Sequence, residues 1–117
     1  MTYIMQQDLR DYINAQRAEA EAYSQQPGCW MGKMVDPDDT EYWSERVPSG
    51  TLRELKRTEL IEDAYYITAD HVSKSYARSL QFHRWTDDKI LRHIEKVSKM
   101  AEAEREAERE GEREWKG

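Results

Sequence analysis

Residues 85–117 read WTDDKILRHIEKVSKMAEAEREAEREGEREWKG, and this stretch decides the class of fold. Thr86 followed by Asp87 and Asp88 is a helix start, since the hydroxyl can cap a free backbone amide and the carboxylates meet the positive end of the helix dipole. Trp85 before the cap and Ile90 after it stand at hydrophobic-staple spacing. Ile90, Ile94, Val97 and Ala101 then continue one apolar stripe at helical steps, which predicts a core-facing helix over residues 87–100.

Beyond Ala101 no large apolar residue occurs before Trp115. Glu102, Glu106, Glu110 and Glu114 recur every four residues, as do Arg105, Arg109 and Arg113, and Glu104, Glu108 and Glu112. On a helix this is an Arg stripe flanked by Glu stripes. Attractions at i,i+3 contribute roughly 0.2–0.5 kcal/mol per pair and are partly offset by like charges at i,i+4. Residues 101–117 therefore read as a Glu/Arg-rich helical extension. Its plain role is a solvated tail that frays near Gly111, and its functional one a contact arm anchored by Trp115.

Upstream, Thr51 and Glu54 have the spacing of a capping box after the breaker Pro48-Ser49-Gly50. Ile61, Ala64, Tyr65, Thr68, Val72, Tyr76 and Ser79 share one helical face, so residues 51–80 form one long helix or a broken one. Thr68 to Asp70 marks the expected break, because Thr and Asp compete locally for backbone hydrogen bonds. Residues 29–47 read as a β-hairpin or an irregular loop: two short runs flank Asp36-Pro37-Asp38-Asp39, where Pro suits the second position of a type I turn. At the other end Met5, Leu9, Tyr12, Ile13, Ala20 and Tyr23 define an amphipathic helix over residues 3–25, stopped by Pro27 and Gly28.

The expectation is a mainly α, small single-domain bundle of three to four helices over residues 1–100, with the 29–47 segment inserted and a charged extension at the end. Composition agrees. The chain has 117 residues, 36% of them charged and 38% hydrophobic, so a thin core must lie between charged helix faces. Seven Tyr and four Trp argue against disorder. The net charge is −6, of which residues 101–117, with seven Glu against three Arg and Lys116, carry −3. Neither part has the excess of positive charge that draws a protein generally to nucleic acid or anionic membrane. A single cysteine, Cys29, and no signal peptide or membrane span make the cytoplasm the expected location.

Catalytic and metal motifs fail on inspection. Asp36, Asp38 and Thr40 begin like a calcium loop, but Glu41 stands where Gly is needed and Val47 where a bidentate Glu is needed. No two of His71, His83 and His93 are four residues apart, the spacing that puts two metal ligands on one helix face. Cys29 lacks an activating neighbourhood, Ser49-Gly50-Thr51 lacks the lysine of a phosphate loop, and the carboxylates lie on charged faces. No enzyme activity, metal or cofactor is expected.

The leading expectation is a non-enzymatic accessory protein that binds another protein. Trp30, Tyr42, Trp43, Arg46 and Trp115 are the candidate contacts, because they lie outside the periodic core faces and Trp, Tyr and Arg dominate interface energetics. Small, acidic, aromatic-rich, Cys-poor chains of this kind are common among bacteriophage and mobile-element proteins, which makes an inhibitor or modulator of a host enzyme or defence complex the specific form. The alternative is nucleic-acid binding through segment 74–93. There Lys74, Arg78, His83, Arg84, Lys89 and Arg92 interleave with aromatics that can stack on bases. A third class is a self-assembling structural protein, a homo-oligomer joined by the terminal helix, although a/d apolar residues are missing after Ala101.

Overall fold

The computed structural model describes residues 2–116, with side chains over residues 2–111. The described residues form five α-helices: α1 Gln7–Ser24, α2 Thr40–Arg46, α3 Leu52–His71, α4 Lys74–Leu80 and α5 Asp87–Lys116, with a 3-10 turn at Phe82–Arg84. No strand occurs among the described residues. The chain packs as two compact units, Met1–Lys56 and Arg57–Gly117.

In the first unit, pairs at helical spacing supply the core. Leu9 and Ile13 of α1, Trp43 and Val47 around α2, and Leu55 of α3 are buried together, with Tyr3, Met5, Tyr12, Met34, Val35 and Leu52 packed around them. The helix expected from residue 3 begins instead at Gln7. The residues before it have other partners: Gln6 donates its N–H to the Gly50 carbonyl at 2.9 Å, and the Tyr3 hydroxyl donates to the Val47 carbonyl at 2.8 Å.

The hairpin reading of residues 29–47 is wrong. The Asp36-Pro37-Asp38-Asp39 turn does form, closed by Asp39 N–H to the Asp36 carbonyl at 3.0 Å, but it feeds a helix. Asp39 caps α2 by accepting from Tyr42 N–H at 3.2 Å, with Glu41 in the first turn and Arg46 in the last, as the helix dipole favours. Trp43 and Val47, four apart, point to one core; a strand would have put Glu45 on that same buried face. The acidic turn groups serve this geometry, since Asp36 Oδ1 accepts from Asp38 N–H at 2.8 Å.

Gly50 ends the linker before α3 with φ +69°. The capping box forms by halves. Thr51 Oγ1 accepts from Glu54 N–H at 3.2 Å, but Glu54 reaches back to Ser49, accepting from its N–H at 2.8 Å and from its hydroxyl at 2.9 Å.

The second unit buries Ala64, Phe82 and Ile90, backed by Leu60, Ile61, Tyr65, Leu80, Trp85 and Ile94. The 51–80 segment is broken, though at Val72–Ser73 rather than at Thr68–Asp70. Thr68 is buried inside α3 and its hydroxyl donates to the Ala64 carbonyl at 2.7 Å, so its hydrogen bond supports the helix. Ser73 starts α4 by accepting from Tyr76 N–H at 3.0 Å. This break, together with α2, raises the helix count above the expected three to four.

Gln81 ends α4 in the left-handed region, φ 53°, and lets the chain turn through Phe82–Arg84. Thr86 caps α5, accepting from Lys89 N–H at 3.2 Å. Arg57 holds the turn, binding Asp87 at 2.5 Å and donating to the Trp85 carbonyl. Along α5, Ile90, Val97 and Ala101 are buried and Ile94 half-buried, whereas residues 102–110 are all exposed.

Candidate functional site

Residues 29–36 lack regular structure, yet their backbone is tied to α1 and α2. Ser24 Oγ accepts from Met31 N–H at 2.9 Å and donates to its carbonyl at 3.2 Å. Arg17 donates to the Met34 carbonyl at 2.6 Å and approaches Asp36 at 3.9 Å. Lys33 pairs with Glu21 at 3.5 Å. Just beyond, the Trp43 indole N–H donates to the Asp36 carbonyl at 3.0 Å, and Arg10 pairs with Asp38 at 2.7 Å. These anchors were not visible in the sequence, where no local pattern links Arg10 or Arg17 to the loop.

On this tethered loop Trp30 is 81% exposed and Met31 45% exposed. The rim of the Trp30 ring lies beside Gly32, 3.5 Å from where a Cβ would be, an ordinary van der Waals distance. On a loop held at both sides, such a ring would leave less ordering cost to any contact it makes.

The other candidates divide. Tyr42 is 40% exposed and stands edge-on to Trp43, ring centroids 5.0 Å apart at 89°. Trp43 is corrected: at 2% exposure it is core, its helical partner Val47 having been hidden by the hairpin reading. Arg46 is half-buried in the last turn of α2. Trp115 lies in α5, but its side chain is outside the described residues.

In the second unit Lys74, Arg78, His83, Arg84, Lys89 and Arg92 are all exposed. Of the rings in this segment Tyr76 is 44% exposed, whereas Phe82 and Trp85 are engaged in packing. Phe82 is 4% exposed and packs edge-on with Trp85 at 5.0 Å and tilted with His93 at 5.2 Å. Trp85 meets His93 at 5.4 Å, and Lys89 lies over the Trp85 ring at 4.1 Å.

His93 is the one histidine built into a core, hydrogen-bonded to the Thr68 hydroxyl at 2.8 Å. Burial, with Lys96 adding repulsion, holds its pKa below the ordinary 6.5. The folded chain therefore keeps the ring neutral while the unfolded chain takes up a proton below 6.5. Stability is complete above that pH and falls as the pH drops toward the lower folded-state value. Thermal melts should show a Tm that declines between pH 7 and pH 5 in the native chain (about the range where histidine titrates) and a shallower decline in His93→Gln; equal slopes would remove His93 as the cause.

An open cleft of about 310 Å³ lies between α3 and α4, lined by Ile61, Glu62, Tyr65 and Tyr66 on one side and by Ala77, Arg78, Gln81, Phe82 and His83 on the other. Among the described residues no group of three His, Cys, Asp or Glu comes together to hold a metal. Cys29 is a free, half-buried thiol, 3.9 Å from the Gln26 side chain. No helix among the described residues is long and apolar enough to cross a membrane. Comparison with known proteins found no matching family model, no matching curated protein and no matching solved structure.

Proposed function

We propose that this chain is a non-enzymatic accessory protein of the cytoplasm that binds another protein, with the 29–36 loop as its leading contact. The supporting observation is Trp30, 81% exposed on a loop whose backbone is fastened to α1 through Ser24 and Arg17. A solitary exposed apolar residue is ordinary. A Trp beside an exposed Met, on a tethered backbone, has the character of an interface anchor. Tyr42 adds a second exposed ring in the same unit. The narrower form, a phage or mobile-element inhibitor or modulator of a host enzyme or defence complex, rests on composition alone.

Affinity capture from the source cell, comparing the native chain with Trp30→Ala, tests the reading. Loss of a central aromatic anchor costs about 2 kcal/mol or more, close to a thirtyfold loss of affinity. The captured partner should therefore disappear with Trp30→Ala and persist in a chain ending at Met100. Capture indifferent to Trp30 sinks the assignment. Salt-dependent oligonucleotide binding abolished by Arg84→Ala with Arg92→Ala would move the function to the nucleic-acid class.

A further inference from the structure

We infer that α5 packs antiparallel against α5 of a second copy of this chain, through the face opposite its buried stripe. Ile90, Ile94, Val97 and Ala101 mark the inward side. At 3.6 residues per turn, the opposite side carries Asp88, Lys89, Arg92, Glu95, Lys96, Lys99, Glu102, Ala103, Glu106, Ala107 and Glu110, with Met100 at its edge. Every one of them is exposed, and Met100 is 46% exposed.

Charge on this face runs from net positive to net negative. Its first half carries Lys89, Arg92, Lys96 and Lys99 against Asp88 and Glu95, Met100 lies at its edge, and its second half carries Glu102, Glu106 and Glu110. Such a face complements itself when a two-fold axis reverses the helix direction, and a parallel pairing sets like against like. An axis level with residue 101 brings Arg92 opposite Glu110 of the second copy and Lys96 opposite its Glu106, each pair occurring twice. Met100 and Ala103 then meet at the centre.

A shallow depression of about 510 Å³ marks the basic half of this face, lined by Arg92, Glu95, Lys96, Lys99, Met100 and Ala103. Glu95 sits at its edge, paired with Lys99 at 3.0 Å. A merely acidic partner would satisfy the basic half and leave Glu106 and Glu110 unmatched. A second copy satisfies both.

The contact is independent of Trp30, so it stands or falls apart from the partner-binding proposal. Sedimentation equilibrium of the full chain should give a dimer mass at low salt and a monomer mass at high salt, because exposed ion pairs are screened. Lys96→Glu and Glu106→Lys, each alone, should weaken the dimer about tenfold with an unchanged helical circular-dichroism signal, since each change affects two symmetric pairs. Mixing the two variant proteins should restore a dimer, the reversed charges facing one another across one pair and the native charges across the other. Trp30→Ala should leave the dimer intact. A monomer mass at low salt, a dimer indifferent to both charge reversals, or variants that stay monomeric when mixed overturns the proposal.

Discussion

Trp43→Ala should cost the first unit about 3–5 kcal/mol, the range for emptying a large aromatic site in a core. Trp43 is 2% exposed and the largest of the fully buried side chains, and it touches elements far apart in sequence: Leu9 and Ile13 from α1, Val47, and Leu55 from α3 share its cluster. Domains of this size hold only about 5–15 kcal/mol in total, so such a loss is a large fraction of what keeps the unit folded. Trp43→Phe separates filling from hydrogen bonding. It keeps most of the volume but drops the indole N–H that donates to the Asp36 carbonyl. That carbonyl also accepts from Asp39 N–H and so stays bonded, which limits the added penalty to about 1 kcal/mol. Urea unfolding of the three proteins measures both steps, and a Trp43→Ala midpoint within error of the native one would refute the core assignment.

Gly50→Ala should be nearly as damaging for a different reason. A Cβ at this position would lie 2.2 Å from the Ile4 carbonyl oxygen and 3.3 Å from Met5 Cα, and the residue has φ +69°. The obstacle is backbone, held where it is by the adjoining Gln6 N–H to Gly50 carbonyl bond at 2.9 Å, so it cannot swing away like a side chain. Relief requires the N-terminal segment to lift from the linker. Conformational strain of about 1 kcal/mol at a left-handed site then adds to the lost contacts, for a total of about 2–4 kcal/mol. Gly28 is the internal control. It has φ +76° and nothing within 4 Å of the added Cβ, so Gly28→Ala should show the strain alone. Equal losses for the two variants would mean that the crowding at Gly50 is relieved without cost.

What the sequence disclosed and what it hid follow from the range of the forces involved. The start of α5 was legible because cap, first-turn acids and staple lie within six residues of one another, as was the apolar stripe from Ile90 to Ala101. The break in α3–α4 was legible in kind but misplaced. Thr68 looked like a competitor for the backbone, and only the fold reveals that its hydroxyl binds Ala64 and His93 instead. The hairpin error has the same root: a short segment with both turn chemistry and aromatics suits strand and helix alike, and burial of Trp43 with Val47 decides between them. At the candidate site, Trp30 was identified by its type and by lying outside any periodic face. The tethers that hold its loop, Arg17 to Met34 and Ser24 to Met31, span seventeen and seven residues and leave no local pattern to read.

The contrast between Trp30, almost wholly in water, and Trp43, almost wholly out of it, gives the molecule an optical gauge of its own. A collisional quencher dissolved in the buffer reaches the first indole and is shut out from the second. In a chain carrying Trp85→Phe and Trp115→Phe, engagement of the loop would register as lost quenching of the long-wavelength emission, whereas loosening of the core would register as quenching gained at shorter wavelength. Occupancy and integrity are thus reported at separate colours by two residues thirteen positions apart.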